Sequence, residues 1–306
     1  DQGLQGNREI FELFAYRFFQ QAENVELVNE LVQMIKGDHR LVARILEPMQ
    51  EIIRHHLLWF QRNMEAGFDL RGASIGNLIL TAGYLENRRH LAPVIDVFSQ
   101  LAMVRGTVRP VVNEYLHLAA ELEDGTTIVG QHLMTGKQAA PITSKIKIVY
   151  ITDDRVTHPV VPVEADEQIS SLICAAQLIC YPMGSFYSSI IANLLVGGMG
   201  EVIVENVSPK VYIPSTGLDP ECLGMSIMDQ VETLISYVAQ GQSKINATDV
   251  LNYVVVDQQN GQYAGQLDRN RLAHLGIKVI DCQLVSRESG PAIDENMLLP
   301  VLLSLV

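Results

Sequence analysis

LICYPMGSFYSSIIANLLVGG, residues 178–198, reads as a strand, a tight turn and the start of a helix. Residues 178–181 form a short buried strand, and Pro182, Met183, Gly184 and Ser185 break it sharply. The apolar run with hydroxyls from Ser188 to Val196 then reads as a helix that stops at Gly197 and Gly198. Such a junction aims unpaired backbone N–H groups and the positive end of a helix dipole at one spot. That spot favours phosphate or carboxylate. Gly184 supplies the turn, while Ser185, Ser188 and Ser189 offer hydroxyl donors. The same residues also fit an ordinary strand-to-helix crossover with Ser185 as N-cap.

Around this stretch the pattern alternates regularly. Residues 145–151, 178–181, 211–215, 251–257 and 278–284 read as strands, and 163–176, 227–239, 267–275 and 295–306 as helices. Residues 201–206 are ambiguous between strand and helix. Alternation of this kind predicts an α/β fold with a parallel, right-handed sheet. Ligands of such sheets lie beyond the C-terminal strand ends, which points to the loops after Ile151, Tyr181 and Ile213. In the last of these, Asp219 and Glu221 either hold Mg²⁺, contact ribose hydroxyls, or are solvated loop acids. Asp153 and Asp154 carry the same alternatives.

The N-terminal part is helical. Ile10, Phe11, Leu13, Phe14 and Phe18 recur at helical spacing, and residues 24–65 read as helix throughout, with Met49, Ile52, Ile53, Leu57 and Phe60 on one apolar face. His55 and His56 are neighbours that cannot face the same way, so they read as solvated or capping residues rather than metal ligands. In FDLRGASIGNLILTAGYLE, Asp69 and Arg71 precede a helix over 74–85. Arg71 presents a fork of donors for a carboxylate or phosphate, Gly72 and Gly76 permit close backbone approach, and Asn77 offers an amide. The alternative is a helix entrance in which Asp69 and Arg71 pair with each other. Residues 88–104 read as a helix and 106–112 as a strand in which Arg109 is an exposed edge residue in preference to an added anion contact. Residues 116–134 read as a hairpin around Asp124-Gly125. A two-residue turn sets Glu123 opposite Thr126 and His117 opposite His132, with Leu118, Ala120, Leu122 and Val129 on the buried face.

The chain has 306 residues, 48% of them hydrophobic, which is ample for a core. Its net charge of −13 argues against a general nucleic-acid binder. There is no apolar run long enough to span a bilayer and no signal-peptide pattern. Cys174, Cys180, Cys222 and Cys282 lack CxxC spacing and read as reduced thiols, with Cys174 and Cys180 in apolar surroundings. These features predict a soluble cytoplasmic protein.

Two stretches carry a family resemblance. Pro182, Gly184, Ser185, Phe186, Tyr187, Ser188, Ser189, Ile190, Asn193, Leu194, Leu195 and Val196 resemble the G-P-G-S-[LF]-Y-[TS]-S-I-x-x-N-L-L-V signature of the CofD and YvcK family. Asp69, Arg71, Gly72, Ser74, Gly76 and Asn77 resemble its D-x-R-G-H-S-L-G-N-L element, with Ala73 in place of the His. The hairpin and an L-F-x-Y-R-F element near the start are similar as well, and Thr216, Glu221 and Gly224 roughly follow a third motif. Tyr181 stands where the family has its first Gly. The family's Gly-rich first strand and acidic loop are not present, which implies that the protein extends upstream. The resemblance implies one Rossmann-like domain over 1–306, with a helical N-terminal part and a hairpin insertion. It also implies a short helix near residues 201–206 and a nucleotide-diphosphate or nucleotide-sugar ligand. For the ligand it implies Gly184, Ser185, Ser188, Ser189, Asn193, Arg71, Gly72, Ser74, Asn77 and Thr216. The residues resemble the YvcK-type regulators more than the CofD transferases, which move a phosphate-linked group with Mg²⁺. The expectation is therefore a regulatory binding protein, the alternative a Mg²⁺-dependent transferase, and for assembly a homodimer.

Overall fold

The structure is a computed structural model and describes residues 7–136 and 140–306. By its internal contacts the chain falls into two compact units, one up to Glu114 and one from Tyr115 onward.

Among the described residues the first unit is built from five helices, α1 (Arg8–Ala15), α2 (Asn24–Lys36), α3 (Met49–Asn63), α4 (Ile75–Glu86) and α5 (Ala92–Leu101), with one isolated bridge between Arg17 and Ser74. Its core gathers Ile10, Leu13, Leu27, Leu31, Ile53 and Leu57 from the apolar stripes of α1 to α3, with Ile75 and Ile79 from α4. Residues 24–65 are not one helix. Gly37 ends α2 at φ 88°, a left-handed conformation that glycine adopts without steric cost. Turns then lead to α3. Arg88 and Arg89 have positive φ, so the next helix starts only at Ala92, with Pro93 in its first turn. Residues 106–112 form no strand. Arg109, expected on an exposed edge, pairs with Asp96 on α5.

The second unit holds two sheets. The first is antiparallel, in the order β2-β1-β3, from β1 (His117–Leu122), β2 (Thr127–Val129) and β3 (Ile146–Thr152). The hairpin is present, but its register is one residue from the expected one: Glu121 faces Thr127 and Ala119 faces Val129. Leu122 N–H donates to Thr126 O at 2.8 Å around a three-residue loop, with Gly125 at φ 85°. A single-residue slip exchanges faces, and Ile128, not Val129, joins Leu118, Ala120 and Leu122 at the core. Gly130, at φ 111°, then turns the chain into α6 (Gln131–Met134). His132 thus lies in α6 and not opposite His117, which pairs with Thr152 of β3 on the other side of β1. β3, expected in the parallel sheet, belongs to this antiparallel one.

The second sheet is parallel, in the order β4-β5-β6-β7, from β4 (Ile179–Tyr181), β5 (Lys210–Tyr212), β6 (Tyr253–Val256) and β7 (Lys278–Asp281). Both faces are covered, as parallel sheets require. Tyr181, Tyr212, Val254 and Val256 face one core, which includes α10 (Ile227–Val238). Val211, Ile213 and Val255 face the other, with Leu298 of α13 (Glu295–Leu303). The remaining helices are α7 (Glu167–Cys174), α8 (Ala192–Leu194), α9 (Met199–Glu205), α11 (Ala247–Val250) and α12 (Arg269–His274). α9 settles the ambiguous segment as helix. Gly200 lets α9 approach the end of α10, since a Cβ there would lie 2.3 Å from Val238 O. Among the described residues no helix is long and apolar enough to cross a membrane. The four cysteines are free, but Cys174 and Cys180 are exposed rather than in a core. Cys174 closes a short helix, and Cys180 sits on β4, which ends the sheet.

Candidate functional site

The stretch that sets the fold begins as expected and then departs. After β4, Gly184 turns the chain, and residues Phe186–Ile191 wind as a π-helix before α8. Wide π turns recur at functional sites. Here the turn buries Phe186, Tyr187, Ile190 and Ile191 together, with the two aromatic rings 5.2 Å apart edge to face. Ser185 occupies the N-cap position, but its side chain makes no cap hydrogen bond.

The backbone donors at this helix start are held by the loop after β5. Gly184 N–H donates to Ser215 Oγ at 3.1 Å, and Ser215 Oγ donates back to Gly184 O. Phe186 N–H donates to Asp219 Oδ2 at 2.6 Å, and Ser188 N–H to Glu221 Oε2 at 2.8 Å. Ser188 Oγ donates to Glu221 Oε1 at 2.5 Å. The helix start does attract anions, but the anions are the chain's own carboxylates. Glu221 is 1% exposed, so it is no solvated loop acid. Burial pushes its carboxyl above the usual range, against the pull of the Ser188 donors. Asp219 Oδ1 also accepts from Glu221 N–H at 3.0 Å and closes a short 3₁₀ turn at Pro220–Cys222. Ser189 and Asn193 are tied to one another along the helix, with Asn193 Nδ2 donating to Ser189 O at 2.6 Å. Thr216 is buried, and its hydroxyl donates to Pro291 O at 2.8 Å.

Beyond the C-terminal ends of β4, β5 and β6 lies a recess of about 40 Å³. Gly184, Ser215, Asp219, Gln230, Gln262 and Tyr263 are among its walls. That is room for a few waters rather than a diphosphate, so a larger ligand lies across its mouth. Asp219 is the one charged side chain among its described walls, with no Lys, Arg or His. Among the described residues no group of three or more His, Cys, Asp and Glu side chains converges to hold a metal ion. Both oxygens of Glu221 are committed to Ser188. A carboxylate has about four lone-pair positions, and Asp219 spends three of them, on the amides of Phe186 and Glu221 and on the Cys222 thiol at 3.7 Å. This fits a Mg²⁺ ion that arrives on a diphosphate, since that ion is commonly held by one or two carboxylates plus phosphate oxygens. It does not fit an all-protein cage.

The loop after β3 belongs to the other sheet, and Asp154 there closes its own turn, accepting from Val156 N–H at 2.6 Å and Thr157 N–H at 3.1 Å. His117 is bonded by Arg155 Nε at 3.2 Å.

In the first unit, the DLRGAS segment builds the entrance to α4. Ser74 caps the helix, accepting from Asn77 N–H at 3.4 Å, and its hydroxyl donates to Phe14 O at 3.1 Å. Gly72 has φ 70°, and Gly76 packs on α1, where a Cβ would lie 2.8 Å from Phe14 O. Arg71 grips Asp69 with Nε and Nη2 at 2.8–3.1 Å, and these bonds, with the Asp69–Arg71 amide contact, hold the Asp69 carboxyl down at about 2. The Asn77 side chain is exposed. His55 lies 3.0 Å from Glu86, and His56 Nδ1 lies 2.8 Å from Ile52 O, which leaves each histidine a local partner.

Residues 6–285 match the family model of 2-phospho-L-lactate transferase CofD. The chain belongs to the CofD family. It is similar to the gluconeogenesis factor of Bacillus subtilis (strain 168), 29% identical over 265 residues, which covers 85% of this chain and 78% of that protein. It is also similar to the gluconeogenesis factor of Halalkalibacterium halodurans, 30% identical over 254 residues, with coverage of 80% and 72%. A crystal structure of a UPF0052 family member from Bacillus halodurans shares the fold, with a TM-score of 0.63 at 23% identity over 94% of this chain and 89% of that one.

Several wall residues of this CofD-family crevice escape a reading by motif. Ser215, Gln230, Gln262 and Tyr263 lie outside the family-like signature. The loop after Val256 carried a usable signal, since DQQNGQ holds an Asn-Gly turn pair at the end of a parallel strand. Asp257 anchors this loop. Its carboxylate accepts from Leu284 and Val285 N–H at 2.9 and 3.1 Å and from Asn260 N–H at 3.0 Å. Burial opposes the charge, yet these donors together hold the carboxyl below its usual range.

Proposed function

We infer that this CofD-family chain binds a nucleotide diphosphate or nucleotide-sugar as its Mg²⁺ complex across the crevice beyond β4, β5 and β6, and acts as a cytoplasmic regulator without turning the ligand over. The supporting observation is the chemistry of the crevice: one carboxylate, Asp219, and no cationic side chain among its described walls. A free diphosphate meets repulsion there, whereas a bound divalent cation inverts the local electrostatics. Asp219 then contributes ligation to the ion, which neutralises diphosphate charge when bound. The same walls offer no His or Lys for proton transfer, the groups that general acid–base catalysis most often uses. The names of the gluconeogenesis-factor relatives support the regulatory reading.

Calorimetric titration with UDP-glucose and GDP, with and without Mg²⁺, tests this. The expected result is saturable binding that strengthens at least tenfold with Mg²⁺, with the nucleotide recovered intact after prolonged incubation. Consumption of the nucleotide would replace the regulator by a transferase. Binding indifferent to Mg²⁺, or no binding, would remove the reading.

A further inference from the structure

The loop after β6 separates two neighbouring hollows. Gln262 and Tyr263 wall the small recess that Asp219 also lines. On the other side, Gln258, Gly261, Tyr263, Gln266 and Leu267 wall an open cleft of about 370 Å³, within the range of small-molecule sites. Tyr263 and Ile227 belong to both, so the two hollows adjoin.

Among the described residues the cleft's walls carry no charged side chain. They combine an aromatic ring with side-chain amides, the chemistry that meets a flat heterocycle with donors and acceptors on its edge. The loop is rigidly built. Asp257 clamps it from below, Asp257 N–H donates to the Tyr263 hydroxyl at 3.1 Å, and Gln262 N–H donates to Thr216 O at 2.8 Å. Gly261 lies against the Tyr263 ring, where a Cβ would come within 2.8 Å of it. Gln258 Oε1 accepts from Arg269 Nη2 at 2.7 Å, which fixes the amide and leaves its NH₂ group as donor. Arg269 is in turn held by Asp281 at 2.5 Å. The Gln266 side chain is exposed and lines the cleft.

We propose that this cleft is the nucleobase subsite, with the base against Tyr263 and its edge read by Gln258 and Gln266. The proposal rests on the nucleotide reading above and assigns it a specificity determinant. A preorganised loop loses little entropy on binding, and an amide left without its partner discriminates against the wrong edge.

The test compares wild type, Gln266→Leu and Tyr263→Leu by titration with GDP, UDP-glucose and inorganic pyrophosphate, all with Mg²⁺. Gln266→Leu keeps the side-chain bulk and removes the amide. The expected result is roughly tenfold weaker GDP or UDP-glucose binding in each variant, with the pyrophosphate affinity of Gln266→Leu, whose side chain lies outside the recess, unchanged within twofold. Thermal unfolding checks that each variant is folded, and Gln266→Leu carries the test if Tyr263→Leu is not. Nucleotide affinity unchanged in Gln266→Leu, or lost in parallel with pyrophosphate affinity, overturns the subsite while wild-type nucleotide binding stands. A wild type that binds pyrophosphate as tightly as the nucleotides also overturns it. No wild-type nucleotide binding removes both readings.

Discussion

Replacing Glu221 by Ala strips the π-helix start of its second internal anion. Two donors lose their partner, Ser188 N–H at 2.8 Å and Ser188 Oγ at 2.5 Å, in a place where Ser188 is itself only 8% exposed. Hydrogen bonds to a charged group contribute about 1.5–3 kcal/mol each, so the gross loss is about 3–6 kcal/mol. Removing the carboxylate also removes its own burial penalty, which the upward push on its carboxyl reveals. The net destabilisation is therefore about 2–4 kcal/mol. Ser188→Ala alone leaves the backbone bond in place and costs about 1–2 kcal/mol. Because the two share a bond, the double variant falls short of the sum by about 1 kcal/mol or more. Urea unfolding at pH 7, followed by far-UV circular dichroism, measures all three. Additivity within about 0.3 kcal/mol would refute the pairing. The pH dependence adds a second check. A carboxyl raised on folding contributes stability that is full below its unfolded pKa and is lost as pH rises through the folded one. In Glu221→Gln that decline is absent.

Asp257 has the opposite sign. Its carboxyl is lowered on folding, so its stabilisation is present above the unfolded pKa and lost as pH falls through the folded one; Asp257→Asn should flatten that part of the acid limb in a pH series of melts. Gly200→Ala drives a methyl against Val238 O and should cost about 1–3 kcal/mol, read as a lower Tm. In the native protein a thiol reagent such as DTNB should modify exposed Cys174 readily and Cys180 more slowly, since burial also pushes the Cys180 thiol up, whereas buried Cys222 should react only on unfolding.

The parallel sheet was legible because each of its strands is a short apolar run followed by a helix-period segment. β3 has the same look and joins a different sheet, since a run such as KIKIVYI does not say which neighbour will pair with it. The hairpin was found from Asp124-Gly125, but its register depends on whether Gly125 closes a two- or a three-residue loop, which the dipeptide leaves open. At the site, the sequence located an anion-attracting helix start and could not show which anion takes it. The partners of Phe186 and Ser188 are Asp219 and Glu221, about thirty residues onward, and only the parallel pairing of β4 with β5 brings them together. The glycines and the serine of DLRGASIG leave the sequence open in a related way. Small residues permit close approach of a backbone as readily as of a ligand, and here Gly76 admits α1.

The most direct test is titration of Asp219→Asn beside wild type with GDP and UDP-glucose, with and without Mg²⁺. Asparagine retains an acceptor for the helix start and removes the charge. If Asp219 serves the ligand-borne ion, the variant binds at least tenfold more weakly than wild type with Mg²⁺, while without Mg²⁺ the relieved repulsion leaves its binding as strong as wild type's or stronger. Binding with Mg²⁺ as tight in the variant as in wild type would contradict the account.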